Sequence, residues 1–140
     1  MKLIIYDKSN SETPNRRVGV RSISVTRKPG TFSFSQTAQR DLEIKDGYGV
    51  LLAQDDESKN DWYICFADSD SSFTIRKRRN GGYAKDFAPT LYFSNKFIAN
   101  RLLDTIKAAK AATLLISTKP TIINSKEWYK IVISKPLRIK

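Results

Sequence analysis

The chain has 140 residues, 40% of them hydrophobic, with a single cysteine, no histidine and a formal net charge of +11. This composition supports one packed domain or two small fused repeats, and it excludes a disulfide framework, His/Cys zinc sites and Ser-His-Asp catalysis. The longest apolar stretches, Val50–Ala53 and Thr113–Ile116, are too short to span a bilayer, and Met1–Asp7 lacks a signal-peptide core, so a cytoplasmic protein with no membrane partner is expected.

Leu3–Tyr6 reads as a short edge strand, and residues 8–16 as a polar arm. Val18, Val20, Ile23 and Val25 form a β-branched run, followed by a turn at Arg27-Lys28-Pro29-Gly30 and an alternating strand, Thr31–Phe34. Ser35 is placed to cap a short helix over 36–43, which Asp46-Gly47 would end. Strands follow at Val50–Gln54 and Trp62–Phe66, separated by a charged loop that begins Asp55-Asp56-Glu57. Cys65 lies in an apolar run and reads as a buried structural thiol.

The pattern continues with a strand at Phe73–Arg78, a loop tip at Asn80-Gly81-Gly82 and a strand at Leu91–Phe93. Ser94 is placed to cap a second helix over 95–110, with Phe97, Leu102 and Ile106 as its core stripe. Leu114–Ser117 and Trp128–Ser134 read as strands around a loop over 119–125, and 135–140 as a basic tail.

The charge lies in blocks. Residues 1–40 carry eight Lys/Arg against two Asp/Glu, 41–70 carry two against nine, and 71–140 carry fifteen against three. Arginine offers a planar fork of donors suited to phosphate and to guanine edges. The candidate nucleic-acid-binding residues are therefore Arg16, Arg17, Arg21, Arg27 and Lys28 in the first basic block, and Arg76, Lys77, Arg78 and Arg79 in the second. The carboxylates at 55–57 and at Asp68 and Asp70 read as solvated loop charge, and Gly81-Gly82 lacks the Lys-Ser/Thr of a phosphate-cradling loop. No catalytic residue, metal site, cofactor or small-molecule substrate is expected.

The order strand, turn, strand, helix, strand, loop, strand occurs twice, over 18–67 and 72–134. Phe34-Ser35 aligns with Phe93-Ser94, and Trp62-Tyr63 with Trp128-Tyr129. The expected fold is β-rich α+β: a tandem duplication of a ββαββ unit that forms a barrel-like pseudo-dimer with two helices. An N-terminal strand and arm (1–17) precede it, and a basic tail (135–140) follows.

Residues 20–54 resemble the AbrB/MazE-type swapped-hairpin DNA-binding domain. The resemblance rests on Gly30-Thr31-Phe32-Ser33-Phe34-Ser35, Leu42-Glu43-Ile44-Lys45-Asp46-Gly47, Val50 and Leu52, with Ser35 standing where the family usually carries Pro. It implies an intertwined β-barrel that binds DNA through basic residues of the first strand and its turn, here Arg21, Arg27 and Lys28. The leading expectation is a non-catalytic DNA-binding protein, a transcriptional regulator in type, with DNA as partner and a homodimer as a compatible state. The alternatives are a single-stranded nucleic-acid binder, stacking bases on Tyr83, Phe87, Tyr92 or Trp128, and a structural or assembly protein of a phage or mobile element.

Overall fold

The computed structural model describes residues 2–3, 20–58, 60–67, 72–78 and 90–140. The expected edge strand at Leu3–Tyr6, the polar arm, Arg16, Arg17, Arg79 and the 79–89 loop lie largely or wholly outside the described residues.

Strands β1 (Ser22–Thr26) and β2 (Thr31–Phe34) form an antiparallel hairpin that leads into α1 (Gln36–Asp41). Then come β3 (Gly49–Gln54) and β4 (Trp62–Phe66), followed by β5 (Phe73–Thr74), β6 (Arg76–Arg78) and β7 (Thr90–Ser94). The chain ends with α2 (Lys96–Thr105), β8 (Ala111–Ile116), β9 (Thr121–Ile123), β10 (Lys126–Val132) and β11 (Arg138–Ile139).

All the strands belong to one sheet, whose path runs β5-β3-β4-β10-β8-β1-β2-β7-β6. Its two ends, β5 and β6, are consecutive pieces of chain joined at Ile75, so the sheet is a nearly closed barrel. Side chains alternate across each strand. Ile23 and Val25, Phe32 and Phe34, Leu91 and Phe93, and Ala112, Leu114 and Ile116 all point into the buried interior. Phe32 and Phe93 stack there at 4.7 Å with rings 3° from parallel, and Phe73 stacks on Phe93 at 5.9 Å. Each large side chain buried in this way contributes about 1.5–3 kcal/mol.

Ser35 caps α1 as expected: its Oγ accepts from Ala38 N at 3.1 Å. The same hydroxyl accepts from Ser22 N and donates to Val20 O, so it also ties the helix start to β1. Proline could make none of these bonds. The helix ends earlier than Asp46-Gly47. Glu43 takes a left-handed conformation (φ 52°), and Ile44 N donates back to Gln39 O while its side chain enters the core.

In α2 three expectations are corrected. The cap is Asn95, whose Oδ1 accepts from Ile98 N at 3.0 Å, and not Ser94. The helix stops at Thr105, with Lys107 left-handed (φ 58°) and Ala108 buried behind it. Phe97 is 68% exposed, and the core stripe is Ala99, Leu102 and Leu103. Phe97 stands five residues before Leu102, about 140° round the helix from it and so off the inner face, and the Arg101 guanidinium covers it at 5.5 Å.

Two segments read as irregular contain strands. β9 lies within the expected 119–125 loop and pairs with β10, so a hairpin projects there with Ile122 and Ile123 exposed. β11 lies within the expected basic tail and pairs with β8. Cys65 is buried, and the desolvation of its thiol raises its pKa.

Candidate nucleic-acid interface

The first hairpin turns tightly beneath the start of α2. Gly30 has φ 87°, its carbonyl accepts from Asn95 N at 2.9 Å, and a Cβ placed on it would lie 2.5 Å from Lys96 Cα. Only glycine fits there. Lys28, two residues before Gly30, has its side chain exposed in this turn.

The arginines of that hairpin are bound internally. Arg21 is 9% exposed. Its Nη1 donates to the carbonyls of Thr118 (3.2 Å) and Ser117 (3.4 Å), its Nε lies 3.9 Å from Asp41 Oδ2, and its guanidinium sits over the Tyr129 ring at 5.6 Å. Arg27 closes the C-terminal end of α2. It donates to Ala108 O (2.7 Å), Ala109 O (2.9 Å) and Asn100 Oδ1 (3.2 Å), and pairs with Asp104 at 3.0 Å. The Ala108 and Ala109 carbonyls belong to the turn that follows α2, and a cation near a helix C-terminus is well placed for the helix dipole.

The second cluster differs. Arg76, Lys77 and Arg78 form the whole of β6, all three are exposed, and among the described residues no carboxylate pairs with them. β6 pairs with β7, Arg76 opposite Tyr92 and Arg78 opposite Thr90. Leu91 and Phe93 point inward, so Arg76 and Arg78 share the outer face with Tyr92. The Arg78 guanidinium lies 5.4 Å from the Tyr92 ring centroid.

The two clusters lie on one wall of the barrel without merging. Thr31, just after the Lys28 turn, is level with Ser94, whereas Arg78 is level with Thr90. They thus occupy opposite ends of the β2–β7 pair, separated by the length of β7, about 13 Å at ~3.3 Å per residue.

Between and beside them the outer face is lined with hydroxyls. Directly opposed residues run Arg76, Tyr92, Ser33, Ser24, Thr113, Arg138 across six strands. Ser24 and Thr113 are linked at 3.1 Å through their hydroxyls. At the far end a shallow pocket of about 190 Å³ is lined by Ser24, Thr26, Thr113, Arg138 and Lys140. Reading residues 135–140 as a tail missed Arg138, because nothing local signals that its backbone pairs with Thr113 on a distant strand. The period-2 run of hydroxyls at Ser22, Ser24 and Thr26 was the available clue.

The 55–61 part of the acidic segment lies elsewhere, whereas Gly47, next to Asp46, donates to Ile75 O beside β6. Asp55, Asp56, Glu57 and Asp61 sit on the β3–β4 connection, and in the strand order β4–β10 lies across the barrel from β2–β7. Asp61 is held below its ordinary pKa by its bonds to Lys130, 3.1 Å away, and to Ser58.

No family model, curated protein or solved structure matches this chain.

Proposed function

We propose that this chain is a non-catalytic DNA-binding protein of the transcriptional-regulator type that engages duplex DNA through the wall carrying β6. One observation carries the reading: Arg76 and Arg78 are exposed on the outer face of an ordered strand without a carboxylate partner among the described residues, with Lys77 exposed between them on the other face. Exposed guanidinium groups that pair with no carboxylate are available to neutralise phosphates and release counterions. Lys28 adds charge at the other end of the same wall.

The pairing scheme supports a tandem duplication related to swapped-hairpin domains. The β1–β2 hairpin corresponds to β6–β7, and β3–β4 to β8–β10. Each leading strand crosses to the other half, β1 onto β8 and β5 onto β3. The like strands pair with each other, β2 with β7 and β4 with β10. Both helices also end in the same way, on a left-handed residue followed by a buried one. Under this reading one chain reproduces an intertwined dimer, with its pseudo-two-fold axis passing between β2 and β7.

Duplex binding is favoured over base stacking because the ring of Tyr92, the described aromatic on this wall, is already covered by Arg78. The test is titration of a labelled duplex with wild type and with an Arg76→Ala/Lys77→Ala/Arg78→Ala variant. The variant is expected to bind at least ~10-fold more weakly, with a salt slope shallower by about 2–3. Equal affinity and slope would remove the basis for the reading.

A further inference from the structure

The strands β1, β2, β7 and β6 lie side by side, and their registers are symmetric about one residue pair. Ser33 on β2 is opposite Tyr92 on β7; Ser33 is also opposite Ser24 on β1, and Tyr92 opposite Arg76 on β6. A two-fold rotation centred on the Ser33–Tyr92 pair therefore exchanges β2 with β7 and β1 with β6, and carries Ser24 onto Arg76. Two residues further along each flanking strand, it carries Thr26 onto Arg78. All four residues stand on the outer face, because Ile23 and Val25, like Leu91 and Phe93, point inward. The two flanks are thus alike in strand geometry and unlike in charge. Arg76 and Arg78 are exposed cations with no carboxylate partner among the described residues. Ser24 shares its hydroxyl with that of Thr113 at 3.1 Å, and Thr26 Oγ1 accepts from Thr31 N at 3.2 Å. Such hydroxyls neutralise no phosphate and release no counterion. Arg27, the next residue on β1's side, is held by the turn after α2, and Arg138 stands two strands further round the barrel from Ser24.

We propose that this wall meets duplex DNA over the Ser33–Tyr92 pair but grips it from one flank. Arg76 and Arg78 neutralise phosphates, while β1 presents the same geometry on the other side of the axis without charge. The inference rests on the DNA-binding reading above and adds to it where the duplex sits and how its contacts are polarised. A symmetric dimer mirrors its two-fold axis in a palindromic site. A one-flanked grip carries no such requirement, and it gives the bound chain a direction on the duplex.

The test moves the arginine pair across the axis at constant net charge, in the full chain, and reads affinity for a short labelled duplex and its dependence on salt between about 50 and 200 mM. Arg76→Ser/Arg78→Thr is expected to weaken binding about 5- to 10-fold and to make the salt slope shallower by nearly 2. Adding Ser24→Arg/Thr26→Arg to that variant is expected to restore affinity to within about 3-fold of wild type and the slope to within ~0.5. Adding Thr121→Arg/Ile123→Arg instead, on the exposed β9 that pairs with β10 across the barrel, is expected to leave both losses in place. Circular dichroism checks each fold. If the four-site β1 variant is unfolded, Arg76→Ser/Ser24→Arg, which keeps the Thr26–Thr31 bond, is compared with Arg76→Ser alone. If wild type binds and the β6 changes weaken it while the β1 additions restore nothing, the one-flanked grip is wrong and the DNA-binding reading survives. Equal restoration from β1 and β9 means that net charge alone acts, and it also overturns the grip. A β6 variant as tight and as salt-dependent as wild type, or a wild type that does not bind duplex DNA, overturns both.

Discussion

Arg27, just past the end of the first hairpin's leading strand, donates to three acceptors around the end of α2 and pairs with Asp104. Arg78, on β6, lies over Tyr92 and has no carboxylate partner among the described residues. In sequence the two look alike: a short basic run beside an alternating strand. Their difference comes from the neighbours that each strand has in space. β1 is flanked on both sides, by β2 and β8, and α2 ends close enough for Arg27 to reach the carbonyls of the turn that follows it. β6 has β7 as its one strand neighbour among the described residues, so its side chains project into solvent. Charge counted along a chain therefore overstates the charge available to a ligand, because part of it satisfies the protein's own carbonyls.

The sharpest way to break this comparison is at Arg21. Arg21→Ala leaves the carbonyls of Ser117 and Thr118 without their donor and removes the packing on Tyr129. It is expected to cost about 3 kcal/mol, a fall in Tm of roughly 10 °C. A cost below ~1 kcal/mol in urea denaturation would mean that Arg21 is not structural. Arg27→Ala should cost less, about 1–2 kcal/mol, because its side chain is 30% exposed and water can replace the lost donor. Arg76→Ala/Arg78→Ala should leave stability within ~0.5 kcal/mol, as expected for surface changes that touch no cap or core. A larger loss would show that β6 is held by its side chains.

The pH dependence sharpens the same contrast on the opposite wall. The carboxyl pKa of Asp61 is lowered in the fold by Lys130 and Ser58. Its contribution to stability is therefore full above the ordinary carboxylate range and is lost as pH falls through the folded value. Asp61→Asn is expected to flatten the acid limb of a stability–pH curve. An unchanged acid limb would show that the Lys130 pair is dispensable. Cys65 runs the other way: its raised pKa keeps the thiol protonated, so stability falls as pH rises from the ordinary thiol range through the folded value. Native protein should alkylate far more slowly than urea-unfolded protein, and equal rates would contradict its burial.

Local features of the fold were legible in the sequence. The β2 strand, the Ser35 cap, the Gly30 turn and β4 follow from alternation, hydroxyl capping and backbone freedom, each acting within a few residues. The illegible features depend on distant partners. Arg21 finds its acceptors 96 and 97 residues away, and Arg27 finds its own 73 to 82 residues away, so neither could be separated from a solvated arginine. β9 and β11 are short and exposed, carry no apolar alternation, and exist because β10 and β8 offer them an edge. Phe97 was misassigned because an apolar side chain was read as inner, although it stands about 140° round the helix from Leu102, off the stripe that Ala99, Leu102 and Leu103 form. Of the candidate site residues, Arg21 and Arg27 are bound into the fold, Lys28, Arg76, Lys77 and Arg78 are exposed, and Arg16, Arg17 and Arg79 lie outside the described residues.

We propose that the exposed arginines on β6, and not the internally bonded Arg21 and Arg27 that flank β1, meet DNA. The most direct test is the slope of log affinity against log salt for a duplex, measured on wild type, Arg27→Ala and Arg76→Ala/Arg78→Ala at a temperature where all three are folded. Each phosphate contact contributes about 0.9 to that slope. The account predicts a slope shallower by nearly 2 for the β6 variant and unchanged for Arg27→Ala. An unchanged slope for the β6 variant, or an equal loss in both, would contradict it.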